Sequence, residues 1–477
     1  MRPSERRFLH STAAAYGSQL ARIGIRAAGD LVLARLLLPD DFGLFALAYG
    51  VVIIAALVRD LGLPYQLVRD ESRPYGSALV WIAGAGAAIS AVLALAAPAF
   101  AFLGPGVPAV LRVYAVWVLL DGLAVVPRVY FEAELAVGRL VAPEIARGTA
   151  MAAVSIALAL AGSAVFAALL WRRAWGRVPL DVDFAAVPRL IGRSLYLFFI
   201  ALAALPVPYF ARFILGTTLG PGRGTYWVGQ YGQARDWGFR LQELVQPALA
   251  RVLYPALIAY RGERRRFFAA YRIGTVSILA LETLAAYFLF FNAEVVLLRI
   301  LIGRQWAAAV PLLRILCFVP LTDPFSRLGG EVLKAEGEDR GWLAIVALNF
   351  FSLLGFGVLL TWRLGPPGIA WANYLLLGNL AMAWRVHRIC GGELWRLLRD
   401  LLFVYVLPLP LFLGVAWACP PATWLRFGAS LAAAAAAGAT YALRFHRPFR
   451  AFFLDHPEDP EQPGAGDRPG PVQPSVP

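Results

Sequence analysis

The feature that most constrains this chain is a repeated one: runs of about twenty apolar residues, the length that spans a bilayer as a helix, interrupted by short turn-forming breaks. The runs lie at 13–37, 42–62, 77–98, 108–127, 148–171, 190–216, 225–247, 270–291, 308–330, 341–362, 366–386, 399–419 and 422–443, thirteen in all. The breaks include Leu-Pro-Asp-Asp at 38–41, Gly-Pro-Gly at 104–106, Gly-Pro-Gly-Arg-Gly at 220–224, Gly-Pro-Pro-Gly at 365–368 and Pro-Pro at 420–421, which is loop chemistry. With 60% hydrophobic and 16% charged residues, the chain is short of material for a wetted surface, since soluble proteins carry about 25% charged residues. A soluble enzyme, a disulfide scaffold and a disordered protein are excluded. The expected fold class is all-α, a polytopic membrane protein.

The polar residues fit that class. Cys317, Cys390 and Cys419 sit in apolar stretches without ligand spacing and read as small core residues. The four histidines, His10, His387, His446 and His456, form no ligand pair, so no metal or other cofactor is expected. Net charge is +14. In a soluble chain that would raise nucleic-acid binding; here it reads as arginine-rich cytoplasmic loops facing anionic lipid, with no nucleic-acid partner. The opening residues lack the apolar core and cleavage site of a signal peptide. Residues 455–477, rich in Pro and Gly, are expected to form a disordered tail.

Arginine placement orients the chain. With the N-terminus inside, Lys and Arg cluster on the inner side at 2–7, 69–73, 128–147, 172–193, 251–272, 334–340, 385–399 and 444–450, while the outer loops hold only scattered arginines such as Arg35 and Arg223. Both termini are then cytoplasmic. This arrangement needs both ends of 148–171 on the same side, yet a run this short cannot cross twice. It is either a re-entrant hairpin hinged near Gly162-Ser163 or the remnant of two spans; the alternative is one span that defies the charge bias. A short internal repeat, 31–50 against 208–233 with Ala34-Arg35 matching Ala211-Arg212, is consistent with two homologous lobes around a central cavity.

A charge at mid-bilayer costs about 2.5–3.5 kcal/mol, so each is a candidate for function. Arg22, Arg26 and Asp30 make an i, i+4, i+8 stripe on the first helix, lining a wet cavity or, alternatively, packing helix to helix through an Arg26–Asp30 pair. Asp121 and Glu282 are lone carboxylates in apolar runs, either protonated hydrogen-bonding groups or ion-coupling sites. Arg235, Asp236, Arg240 and Glu243 cluster in one segment, and Asp323, Arg327 and Glu331 repeat the stripe, with a solvated helix end as the plainer reading. Arg59-Asp60 reads as an interfacial pair. Trp227, Tyr231 and Trp237 read as interface anchors or as platforms for sugar faces.

The residues ARLLLPDDFGLFALA (34–48) and LVRDLGLPYQLVRD (57–70), with VPRVYFEAELAVGRLVAPEIARG (126–148), LARVLYPAL (249–257) and IGRQWAAAVPLLRIL (302–316), resemble the bacterial polysaccharide flippases of the Wzx type. These belong to a superfamily that includes lipid II flippases and multidrug-and-toxin exporters. The resemblance implies fourteen helices in two pseudo-symmetric lobes: an N-lobe over 1–178, a C-lobe over 179–390 and an added helix pair over 391–454. It implies a monomer in the bacterial inner membrane that moves polyprenyl-diphosphate-linked oligosaccharide outward, working beside a polysaccharide polymerase and export machinery. Arg22, Arg26, Arg212, Arg235, Arg240 and Arg327 are then expected to hold the pyrophosphate, because the guanidinium fork binds phosphate oxygens and stays charged. Asp30, Asp121, Glu282 and Asp323 are expected to couple ions. Two departures stand out: one helix is apparently lost near 148–171, and LPVPYF (205–210) lacks the acidic residue that often opens the second lobe. No GxxxxGK[ST] motif is present, leaving ATP drive unsupported. A lipid II flippase, a drug exporter and a membrane glycosyltransferase or polymerase are the competing readings. The inward arginine loops are short for the enzyme, and the arginine stripe is wrong for a cation exporter.

Overall fold

A computed structural model describes residues 28–29, 31–69, 74–133, 156–204, 206–260, 263–336, 338–390 and 394–453. Among them there is no β-strand. Six helical stretches are long and apolar enough to cross a membrane: Pro39–Asp60, Tyr75–Leu103, Val107–Phe131, Arg264–Leu301, Arg340–Leu364 and Trp395–Ala418. In hydrocarbon every backbone group must find its partner inside the segment, and the helix does this. In chain order the helices are α1 (Pro39–Asp60), α2 (Leu63–Arg69), α3 (Tyr75–Ala96), α4 (Val107–Leu123), α5 (Val125–Ala133), α6 (Ile156–Ala174), α7 (Ala186–Ala204), α8 (Pro206–Leu219), α9 (Arg223–Gly238), α10 (Arg240–Ala259), α11 (Arg264–Glu294), α12 (Ala309–Leu316), α13 (Asp323–Glu336), α14 (Asp339–Leu364), α15 (Pro366–Ala372), α16 (Leu377–Cys390), α17 (Leu394–Val406), α18 (Pro408–Ala418) and α19 (Trp424–Phe453).

The breaks read from the sequence become helix boundaries. Pro39 and Pro366 open α1 and α15 in the first turn, where a missing N–H costs nothing. Gly365, at φ 69°, makes the turn between α14 and α15 in a region that favours glycine. The internal repeat appears as two helix–break–helix units: residues 31–36 then α1, and α8 then α9. Their breaks fall about seven residues, two helical turns, out of the register set by the Ala-Arg pairs.

One expectation is corrected. Residues 156–174 form a single unbroken helix of 19 residues that runs straight through Gly162-Ser163. Among the described residues there is no hairpin at Gly162-Ser163, because one glycine inside an apolar helix is tolerated when lipid leaves the backbone no other partner. Residues 134–155, which precede it, lie outside the described residues.

The packing has a fork. At one end a single core draws Ala34, Leu47, Val52, Leu111 and Trp117 from the first part of the chain together with Ala211, Leu215, Val228, Trp306 and Leu313 from the second. At the other end are two separate cores. Leu63, Tyr75, Val125, Phe166 and Leu190 form one; Leu257, Phe268, Leu333, Leu401 and Tyr441 form the other. The most extensive helix-to-helix contact, α1 against α9, lies in the joined part. The arginine-rich segments 172–193, 251–272 and 385–399 attach to the divided end.

Candidate functional site

The joined end is sealed by contacts between distant segments. Asp41 Oδ2 accepts the Leu38 N–H at 3.2 Å and so caps α1. On the next turn α1 meets α9 backbone to backbone. A Cβ on Gly43 would stand 1.7 Å from the Thr225 carbonyl oxygen, and one on Gly229 would stand 1.9 Å from the Pro39 carbonyl oxygen. Only hydrogen at these two positions lets the helices approach this closely. Thr225 Oγ1 donates to Asp40 Oδ1 at 2.9 Å across the same contact.

A second seam joins residues 34–42 to 300–306. The Arg35 guanidinium donates to the carbonyls of Leu301 (2.8 Å) and Ile300 (2.7 Å), the last carbonyls of a π-helical stretch over Val295–Leu301. Such carbonyls lack intrahelical donors and attract a cation. Trp306 Nε1 and Gln305 Nε2 donate to the Ala34 carbonyl at 2.7 and 3.1 Å. Gln230 Nε2 donates to the Gln305 carbonyl at 2.9 Å. The Phe42 ring meets the buried Trp306 ring edge-on, centroids 5.4 Å apart. In the sequence Arg35 reads only as a loop arginine, and the one signal of this seam there is the match of Ala34-Arg35 to Ala211-Arg212.

Beneath the seal, three of the expected arginines gather. Arg212 on α8 donates to Asp236 Oδ1 on α9 at 3.1 Å, and Arg235 reaches the same oxygen at 3.9 Å. The chain breaks at Phe239 between α9 and α10; Arg235 lies over the Phe239 ring at 4.6 Å and Arg240 over Trp237 at 5.0 Å. Glu243 follows on the next turn, so this stretch supplies three arginines and two acidic residues, one positive charge in excess. Arg212 and Asp236 lie about 10 and 20 Å along their helices from the sealed end. In a hydrocarbon layer about 30 Å thick whose face lay at the sealed end, those distances would be mid-depth. Arg212 Nε has no hydrogen-bond partner among the described residues, and Asp236 is 29% exposed, so the cluster retains unused capacity. Tyr231 is fully buried and its hydroxyl accepts from Asn373 Nδ2 at 3.3 Å. It is a core residue here, which corrects its reading as a sugar platform.

The other expected residues stand apart from this cluster. Asp121 is not a lone carboxylate: its Oδ2 accepts from Arg59 at 3.2 Å, while Arg59 Nε donates to Asp60 at 2.7 Å and its other amino group to the Val118 carbonyl. Arg59 is 1% exposed, so the expected Arg59–Asp60 pair is present, buried and joined by Asp121. Its guanidinium lies against Gly122, where a Cβ would come within 3.1 Å of it. Two carboxylates and a backbone carbonyl make such burial tolerable. The partners come from α1 and α4, too far apart in sequence for spacing to reveal. Glu282 is buried on α11 beside Tyr405. Asp323 and Arg327 lie on α13, but their side chains are outside the described ones; Arg22, Arg26 and Asp30 lie outside the described residues altogether.

No curated protein matches the sequence of this chain. Its fold is similar to that of the lipid II flippase MurJ in an inward closed conformation, with a TM-score of 0.69 at 10% identity, covering 92% of this chain and 100% of that one. It is also similar to an inward-facing multidrug resistance MATE family transporter of the MOP superfamily, with a TM-score of 0.56 at 17% identity, covering 78% of this chain and 94% of that one. Both likenesses show the fold, an all-helical one shared with these two proteins. Residues 32–311 match the family described as polysaccharide biosynthesis protein, and this match, over more than half of the chain, establishes that the chain belongs to that family.

Proposed function

We propose that this chain is a flippase that moves polyprenyl-diphosphate-linked oligosaccharide from the cytoplasmic to the outer leaflet of a bacterial inner membrane by alternating access. The observation that carries the reading is the fork: a sealed end, a divided end, and an excess of guanidinium at mid-depth between them. A diphosphate cannot enter hydrocarbon unaided; a cationic chamber substitutes for its hydration, and the polyprenyl tail stays in the bilayer. Arg212, Arg235 and Arg240, together with Arg22, Arg26 and Arg327, hold the diphosphate in this reading.

The divided end carries the arginine-rich loops and is cytoplasmic by the charge rule, with both termini on that side. The two lobes, 1–178 and 179–390, hinge on the sealed end, the start of α7 staying with the first lobe through Leu190, and the pair 391–454 packs on α11. The chain acts as a monomer and hands its cargo to a polysaccharide polymerase and export machinery. Val125 and Phe131 on α5 and Phe166 and Leu170 near the end of α6 share the same core at the divided end, so reporter fusions after residues 136 and 178 should both read cytoplasmic; opposite readings would invert every later loop and remove this orientation.

Asp30, Asp121, Glu282 and Asp323 are the ion-coupling candidates, of which Glu282, buried in an apolar helix, is the strongest. Glu282→Gln should uncouple transport from the ion gradient, and an unchanged dependence on the gradient excludes it. The function is tested by deleting the chain and asking where lipid-linked oligosaccharide accumulates. Cytoplasmic-leaflet accumulation, unpolymerised, is expected. Cargo outside but unextended would point to an enzyme, and accumulation of lipid II would point to a lipid II flippase.

A further inference from the structure

A second charged cluster lies away from the translocation path, where α11, α17 and α19 meet. Asp400 on α17 is 2% exposed. Its Oδ2 accepts from Arg272 Nε on α11 at 2.7 Å and from a second nitrogen of the same guanidinium. Arg444 on α19 reaches Oδ1 at 3.8 Å while lying over Phe403 at 4.6 Å and Phe445 at 5.7 Å. One carboxylate faces two guanidiniums, so the group carries an excess positive charge. Arg272 and Arg444 remain 31% and 45% exposed. A cavity of about 220 Å³ opens beside Arg272, lined also by Asp400 and Ser277 and walled by Ala269, Ile273, Val276 and Phe445; Arg444 adjoins it through Asp400 and Phe445.

We propose that this cavity is a binding site for an anionic glycerophospholipid. Its phosphate sits on Arg272 and Arg444, and its glycerol and first acyl carbons lie along the apolar wall. Asp400 is a positioning residue that holds both guanidiniums in place. Three observations combine to identify the ligand. The excess charge selects an anion. The apolar wall selects an amphiphile over a free ion. The cavity lies within the spanning stretches Arg264–Leu301 and Trp395–Ala418, about two turns deeper than the exposed Arg264–Arg266, so its occupant comes sideways from the bilayer. Basic pockets between helices on the cytoplasmic side favour acidic lipid head groups. The inference needs only that the chain spans a membrane, and it survives failure of the transport reading.

The test uses the full chain purified in phosphatidylcholine nanodiscs and titrated with phosphatidylglycerol, with bound lipid read by native mass spectrometry. Two variants are compared: Arg444→Gln removes one guanidinium, and Ala269→Phe fills the cavity while leaving all three charges intact. The wild-type chain should retain phosphatidylglycerol over phosphatidylcholine, and both variants should hold it about ten-fold more weakly. Millimolar inorganic phosphate should not displace it. Equal retention of the two lipids, wild-type retention in Ala269→Phe, or displacement by inorganic phosphate would overturn the proposal. If Arg444→Gln unfolds early, Ala269→Phe decides alone.

Discussion

Gly229→Val and Gly43→Val should each abolish transport while leaving the protein in the membrane at its normal level. At these positions α1 and α9 touch backbone to backbone, with ideal Cβ positions only 1.9 and 1.7 Å from carbonyl oxygens of the facing helix. No rotamer relieves such an overlap, because the obstacle is main chain. The helices must part, and with them go the Thr225–Asp40 bond and the fit of the shared core. Overpacking of this kind costs about 1–3 kcal/mol and occasionally more. At about 3 kcal/mol the sealed state becomes more than a hundred-fold rarer relative to its alternative. In the alternating-access reading the contact exists only while this end is closed, so the penalty falls on the sealed conformation alone. Folding and insertion are therefore spared and the cycle is not. Normal export by both variants would mean that this end never has to close. Gly43→Ala should act in the same direction, less strongly.

The second large effect is expected from the mid-depth arginines. Replacing Arg235 and Arg240 together by Ala removes two of three guanidiniums and leaves Asp236 with Arg212 alone. Charge-assisted hydrogen bonds contribute about 1.5–3 kcal/mol each, so the pair should weaken cargo binding by at least a hundred-fold. The Lys versions should restore only part of it, because a point charge does not reproduce the fork. Cargo affinity measured on purified protein checks this directly. If the double Ala variant binds lipid-linked diphosphate as tightly as the wild-type chain, the cluster is structural.

The two expectations differ in how far the sequence could support them. The arginine cluster was legible: Arg235 and Arg240 are charges where charge is costly, and the matched Ala-Arg pair pointed to Arg212. The turns were legible too, because Pro39, Gly104, Gly222 and Gly365 stand where helices end or begin. The gate was not legible, since Gly43 and Gly229 are ordinary glycines until the opposing backbone is known. The Arg59–Asp121 pair escaped for the same reason, its partners lying on separate helices. The mid-membrane breaks at Phe239 and Leu407 were invisible because an apolar run gives no signal when lipid-facing and core-facing positions look alike. At 148–171 a charge count suggested a hinge, but the helix continues unbroken through Gly162-Ser163. Charge bias reports which side a loop lies on and says nothing about how the chain travels between loops.

The closest test of alternating access is a cross-link across the seal. Asp40 and Thr225 already touch through their side chains at 2.9 Å. With both replaced by cysteine, in a chain whose own cysteines are removed, oxidation should hold the seal shut. Transport should stop on oxidation and return on reduction. Transport that continues at full rate with the cross-link formed would contradict the mechanism.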